Sequence, residues 1–310
     1  MINLHEPLYE EVIPLDWERQ LFQTSYVKRL KHLAHFGAGS FVSPVTHSRY
    51  EHTIGVWKLV VRFFPQDDLL RAAAILHDIG HLPFSHAVER TLGYDHHQLT
   101  NTYINSDEVA AILRGIGLSA GEVCAGLNRE TALTGTSQVL GLDHLDSFFR
   151  DTYMAGTLRV KATEILDKIT CTQAGIAADE ATAAQLLEII EANNRLIHSP
   201  LLRAVDFLLA QAVDLHWQET RDGFAFLMDA EVTAQLIDSP NEEVRRIIQI
   251  LLFEPHQIVV ATGTGDRIRK GKVYSKQPLV NGVPYSETEN GQAFERRIQA
   301  LVKEYEVGFA

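Results

Sequence analysis

The 310-residue chain reads as mainly α-helical, with a small α+β C-terminal part that contains a β-hairpin. Three observations predict this. Apolar residues recur at helical spacing over most of the chain up to Pro255. Capping and stop signals bracket those stretches. Beyond Pro255 the character changes: Ile258-Val259-Val260 and Lys272-Val273-Tyr274 are strand-like, and Asn281-Gly282 between Val280 and Val283 signals a hairpin. The expected organisation is a helical domain over residues 1–255 and a strand–helix appendage over residues 256–310.

Taken in order, residues 1–24 contain Pro7 and Pro14 and lead into a first helix, Tyr26 to Phe36, with Val27, Leu30 and Leu33 on one stripe. Gly37-Ala38-Gly39-Ser40 breaks it, and Phe41-Val42-Ser43-Pro44 is expected to be extended or a turn. Ser48-Arg49-Tyr50-Glu51 fits a capping box, with Ser48 as N-cap and Glu51 three residues on. Val56, Val60, Val61 and Phe64 continue that helix until Pro65 stops it. A third helix runs through Leu69 to Leu76 and delivers His77-Asp78 at its end. Gly80 terminates it, and Pro83 is placed to begin a helix from Phe84 to about Leu92. Tyr94-Asp95-His96-His97 then reads equally as a polar loop or a second histidine cluster. Residues 106–140 read as short helices.

Leu142, Leu145, Phe149 and Tyr153 form the apolar stripe of a buried helix, with Asp143, Asp146, Ser147 and Arg150 on its other face and Asp151 beside them. That polar face suits either solvent, with Asp146–Arg150 as an i,i+4 pair, or a carboxylate turned toward the histidines. Further helices are expected from Ala183 to Leu196, Leu201 to Trp217, Ala225 to Ile237, Glu242 to Leu252 and Ala293 to Tyr305.

Composition narrows the function classes. Hydrophobic residues make up 45% and charged residues 22%, an ordinary globular balance. The net charge of -12 argues against nucleic acid as a partner, because backbone binding is driven by Lys and Arg. It leaves room for a small anion held by a few local cations and a metal. No apolar run approaches the ~20 residues a bilayer span needs, and Met1 to Pro7 lacks the regions of a secretory signal. Two cysteines, Cys124 and Cys171, imply no disulfide framework. A cytoplasmic protein without a membrane partner is the expectation.

The chemistry concentrates in Leu76-His77-Asp78-Ile79-Gly80-His81-Leu82-Pro83-Phe84-Ser85-His86. Imidazole nitrogen and carboxylate oxygen together suit Fe, Mn, Co, Ni or Zn. His52, in the first turn after Ser48, lies near the positive end of the helix dipole, where a neutral, metal-ligating imidazole is easier to keep. His86 and Glu89, three residues apart, share a face of the expected helix.

His52, His77, Asp78 and Asp143 form an H…HD…D set, and the chain resembles the HD-domain metal-dependent phosphohydrolases. Within them it is most similar to the branch of deoxyguanosine triphosphatases and sterile-alpha-motif-and-HD-domain dNTP triphosphohydrolases. Thr46-His47-Ser48-Arg49-Tyr50-Glu51-His52-Thr53-Ile54-Gly55-Val56 resembles that branch's HxRFEHSxGV stretch, and His77 to His86 resembles HDxGHGPFSH. Asp143 to Asp151 is similar to DxxDxxxRD, and Lys272 to Val280 to KxYxKxPLV. The resemblance implies an HD-type helical core and one divalent metal held by His52, His77, Asp78 and Asp143, with Mg on the substrate phosphates as a further option. It implies His86 as general acid, with Glu89 and His96 orienting it, and phosphate contacts from Arg49 and His81. Asp151 would meet the sugar 3′-hydroxyl, and His144 and Ser147 would lie beside the substrate. A homo-oligomer acting on a small nucleotide or phosphate ester is the implied partner state. The chain also departs from the branch. His35 follows Ala34 where the branch has Gln-Leu, Ser147 replaces a tyrosine and His144 a lysine. In His198-Ser199-Pro200-Leu201-Leu202-Arg203-Ala204 only the histidine and an arginine of a distal-phosphate motif survive. A nucleoside triphosphate is the leading expected substrate, a phosphomonoester the alternative, and nucleotide binding without turnover a third reading.

Overall fold

The computed structural model describes residues 4–218, 223–261, 266–268 and 271–310. The first three residues of the N-terminal stretch considered above lie outside that set. The architecture is a helical core with two small sheets at its margins.

The helix Arg49–Phe63 is the central element, packed against Asp68–Leu76 on one side and Leu142–Met154 on the other. Its capping box forms as the sequence predicts, with Ser48 Oγ accepting from the Glu51 N–H and Glu51 accepting from the Ser48 N–H. Ile54, Val56, Trp57, Leu59 and Val60 are all buried, so the helix is enclosed nearly all round. Gly55 permits that enclosure. A Cβ there would lie 2.0 Å from Asp146 Oδ1 and 2.2 Å from Arg150 Nη2, so only glycine lets the two helices meet.

The N-terminal residues hold the central helix through two buried glutamates. Glu6 accepts from Lys58 Nζ at 2.9 Å, and Glu18 accepts from Trp57 Nε1 at 2.6 Å and from Arg71. Buried acids survive folding only when paired and bonded in this way. The lead-in also contains a helix of its own, Asp16–Gln23.

Several local expectations are corrected. The helix expected over Tyr26 to Phe36 ends early, as Ser25–Arg29 and a 3-10 turn, because Ala34 pairs with Ser48 in a β-bridge. The Gly37-to-Phe41 break is itself a 3-10 turn. No helix starts at Pro83: Phe84 and Ser85 adopt left-handed φ values of 55° and 58°, and regular helix is confined to Glu89–Leu92. Tertiary bonds hold that strained pair, since Asp229 accepts from the Phe84 N–H, and Ser85 Oγ donates to Ala34 O while accepting from Arg49. Asp95 caps a helix, His96–Ile104, where a polar loop was an equal reading. Lys272 to Tyr274 forms no strand; the Asn194 side chain bonds both backbone groups of Tyr274, as a neighbouring strand would have done. The last helix is Glu289–Gln299, and Tyr305–Phe309 is a strand.

One sheet has the order Ile169–Thr172, Gly175–Ala178, Leu279–Val280, Val283–Pro284. Its last two strands are the expected hairpin, turning through Asn281 and Gly282 at positive φ. In the other, Tyr305–Phe309 lies between Ile258–Ala261 and Asp266–Ile268, antiparallel to both. The first sheet adjoins the apolar core around the central helix. The second covers a further apolar cluster formed by the helices Pro200–His216 and Glu242–Phe253. Residues 256–310 contribute to both clusters.

Candidate metal and active site

Four side chains converge where the central helix, the end of Asp68–Leu76 and the start of Leu142–Met154 meet. His52 Nε2 lies 3.2 Å from His77 Nε2 and 3.1 Å from Asp143 Oδ1. Asp78 contributes Oδ2 at 3.8 Å from His52 Nε2 and Oδ1 at 3.5 Å from His77 Nε2. The tautomers follow from the other ring nitrogens. His77 Nδ1 is 2.8 Å from the Ala74 carbonyl, which can only accept, so the Nδ1 carries the proton. His52 Nδ1 donates to Asp146 Oδ2 at 2.8 Å. With both rings neutral, the two Nε2 lone pairs would face one another among carboxylates, an arrangement that calls for a cation, a proton or a metal ion, between them. Burial opposes a charged His52, but bonds to Asp143 and Asp146 and the field of Asp78 hold its pKa up at about 10. The same field attracts a divalent ion, and two imidazoles with two carboxylates suit a transition metal.

Asp146 and Arg150 decide between the two readings of their helix face. Both are buried, at 0% and 1% exposure. Arg150 forks onto Asp146 with Nε at 3.0 Å and Nη2 at 2.8 Å, and Nη2 also reaches Glu6 Oε2 at 3.1 Å. A chain of charge-assisted bonds thus runs from Glu6 through Arg150 and Asp146 to His52, fixing the ring that presents Nε2. Sequence reading missed Glu6 and left Asp146 undecided. Its one visible signal was the i,i+4 spacing, which a solvated pair shares.

Arg49 donates to Asp78 Oδ2 at 2.5 Å and to Ser85 Oγ at 2.8 Å, so it braces that carboxylate at the edge of the site. His81 Nε2 lies 3.2 Å from Asp78 Oδ1, and its ring stacks on His96 at 4.2 Å. His86 and His96 both point Nδ1 at Glu89, at 3.0 Å and 2.6 Å. Burial would raise Glu89, but hydrogen bonds from both imidazoles and the His96 N–H hold it far below the usual carboxylate range. The His86 side chain is 56% exposed, and its bond to Glu89 leaves Nε2 for another partner. Gly80 lets this group close up, since a Cβ there would lie 2.2 Å from the His96 carbonyl.

On the far side of Asp143, the His144 ring lies near Tyr274 and Phe148. Burial above all lowers its pKa to about 4, with the charge of Asp143 opposing that lowering and those of Lys276 and Lys272 adding to it. Ser147 Oγ donates back to the Asp143 carbonyl at 3.3 Å. Asp151 stands apart from the other expected substrate contacts: it is buried, accepts from Asn193 Nδ2 at 2.8 Å, and turns Oδ1 toward His35 and His47.

Residues 49–169, which carry His52, His77, Asp78, His86 and Asp143, match the model of the HD domain. This chain contains an HD domain. HD domains bind divalent metals, and His52, His77 and Asp78 form a group that could hold such an ion. The chain is similar in fold to a hypothetical protein from Aquifex aeolicus, with a TM-score of 0.66 at 18% identity over 96% of this chain and 93% of that one. A phosphohydrolase from Bacteroides thetaiotaomicron gives a TM-score of 0.62 at 17% identity over 81% and 76% of the two chains. The deoxynucleoside triphosphate triphosphohydrolase SAMHD1 homolog of Dictyostelium discoideum is 35% identical over 89 residues, 24% of this chain and 17% of that protein. The HD-domain chain spans about half or less of the length of the curated relatives it matches. Among the described residues, no single helix is long and apolar enough to cross a membrane.

Proposed function

We propose that this HD-domain protein is a metal-dependent phosphohydrolase acting on nucleotides, with a (deoxy)nucleoside triphosphate as the leading substrate class. The observation that carries the reading is the adjacency of two devices. One is the cradle of His52, His77, Asp78 and Asp143, whose two Nε2 lone pairs converge. The other is the His86–Glu89–His96 group, linked to the cradle through His81. The partial match to a triphosphohydrolase supports the substrate class.

A divalent metal held by the cradle supplies Lewis acidity and a lowered pKa for water. The rest of the work falls to side chains. Glu89 fixes the orientation of His86 and His96 by accepting from both Nδ1 atoms, so His86 can hold a proton at Nε2 for a leaving oxygen. Lys276, whose charge reaches Asp143 and His144, and Lys272, whose charge reaches His144, give the site a cationic margin in a chain of net charge -12. That margin suits phosphate oxygens. Arg49 and His81 reach the same region while steadying Asp78.

The test is a panel of nucleoside mono-, di- and triphosphates incubated with Mn²⁺-, Co²⁺- or Fe-loaded protein. Tripolyphosphate or phosphate released from triphosphates is the expected result. Inorganic phosphate from monoesters alone would move the assignment to a phosphomonoesterase. Tight binding with no product from any nucleotide would mark a regulatory subunit and overturn the reading.

A further inference from the structure

A second group of ligand-type side chains lies against the first centre, where His35 packs on the His52 ring with centroids 4.5 Å apart. It consists of His35, His47 and Asp151, contributed by three separate parts of the chain. The Ala34–Ser48 bridge puts the two histidines opposite each other, with the His35 N–H donating to the His47 carbonyl at 3.0 Å and the Arg49 N–H to Leu33 at 2.9 Å. Their rings lie 4.8 Å apart and 30° from parallel. Asp151 approaches from the helix Leu142–Met154, and Asn193 on the helix Glu180–Ile197 fixes its Oδ2 at 2.8 Å.

The distances are wrong for hydrogen bonds and right for ligands of one ion. His35 Nδ1 and His47 Nε2 each lie 3.5 Å from Asp151 Oδ1. An N–H···O bond has a heavy-atom separation of about 2.7–3.2 Å. Ligand atoms each ~2.0–2.2 Å from a shared metal are roughly 3–3.5 Å from one another. In the first centre the corresponding atoms lie 3.1 to 3.8 Å apart, the same overall range, with two of the pairs also at hydrogen-bond distance.

These atoms are also unpartnered. His35 Nδ1, both ring nitrogens of His47, and Asp151 Oδ1 are all buried with no hydrogen bond. Folded proteins almost always satisfy such atoms, and three of these four, His35 Nδ1, His47 Nε2 and Asp151 Oδ1, converge as one group that could hold an ion. The local charges favour a cation. Arg49 pairs with Asp78, and Arg150 pairs with Asp146 and Glu6. Asp151, among the described residues, has no Lys or Arg at ion-pair distance.

We propose that His35, His47 and Asp151 form a second, buried divalent-metal site of the Zn, Fe, Mn or Co class, distinct from the His52–His77–Asp78–Asp143 centre. An ion there ties the segment that carries Arg49 to the helix that carries Asp143 and Asp146. Asp151 is then a ligand and not a sugar contact. The site is independent of the nucleotide reading.

The test uses the full chain, stripped of metal and reloaded with Zn²⁺ or Co²⁺. Elemental analysis is expected to give two equivalents per chain, one after Asp78→Ala, one after His47→Ala and none in the double variant. Anomalous diffraction from the unmodified protein at the metal edge is expected to place one peak among His35, His47 and Asp151. That peak without one at His52 would fail the first centre and leave this site standing. No peak among His35, His47 and Asp151 overturns the proposal, whether ordered water or nothing fills the position. A folded Asp78→Ala chain that binds no metal overturns it as well.

Discussion

The metal cradle and the His86–Glu89–His96 group are neighbours built on opposite principles. Cradle residues stand on or at the ends of long helices and are braced behind: His52 by Asp146, Asp146 by Arg150, and Arg150 by Glu6. His52 is 1% exposed. In the other group His86 follows the left-handed pair Phe84 and Ser85 in a turn, Glu89 and His96 begin short helices, and the His86 side chain is exposed. Holding a cation requires ligands that cannot relax, so desolvated charges are acceptable if each is paired. Passing a proton requires a nitrogen that can meet substrate and solvent, so that ring is oriented by a single carboxylate and left accessible.

The comparison breaks most sharply at Asp78. Asp78→Ala removes a ligand and leaves Arg49 without its carboxylate, and the expected outcome is complete loss of activity together with loss of metal at the first centre, measured by elemental analysis. His86→Gln tests the other device. Turnover is expected to fall ~10²–10⁴-fold, the usual worth of a placed proton donor, while metal content stays unchanged; a parallel loss of metal would erase the distinction.

Two smaller effects sharpen it. Asp146→Asn keeps the shape but weakens the grip on the His52 tautomer, and metal affinity in a competition titration is expected to drop ~10–100-fold. An affinity equal to that of the unmodified protein would show that the bracing chain is dispensable. Glu89→Gln acts on pH dependence. Partial desolvation against the His81 and His96 rings, with the charges of Arg49 and His96, lowers the His86 pKa, and the bond and charge of Glu89 oppose that lowering. With the charge removed, the lowering loses its main opponent, so the proton on His86 is lost at lower pH. The alkaline limb of the rate profile is expected to move down, and an upward shift would assign the acid elsewhere.

Much of this was legible in the residues. Ser48 and Glu51 encode a local capping box, so the start of the central helix was readable where it stands. Asn281-Gly282 likewise encodes its turn within a few residues. Phe84 to Leu92 was not readable, because its backbone is set by Asp229, Arg49 and Ala34, distant in sequence. Lys272 to Tyr274 has strand composition, yet its partner is the side chain of Asn194. Local signals report local hydrogen bonds, and these two segments have their bonds elsewhere.

By itself the sequence named the candidate donor set, His52, His77, Asp78 and Asp143, and the helices that carry it, since residue chemistry and helical period are properties of a short stretch. The tertiary structure alone decided that Asp146 and Arg150 face inward. Spacing is identical for a solvated pair and a buried one, and the choice was made by Gly55 on another helix, which leaves the room they occupy. It also decided that His35, His47 and Asp151 meet, because a bridge, a helix and a second helix had to pack before those three atoms could converge.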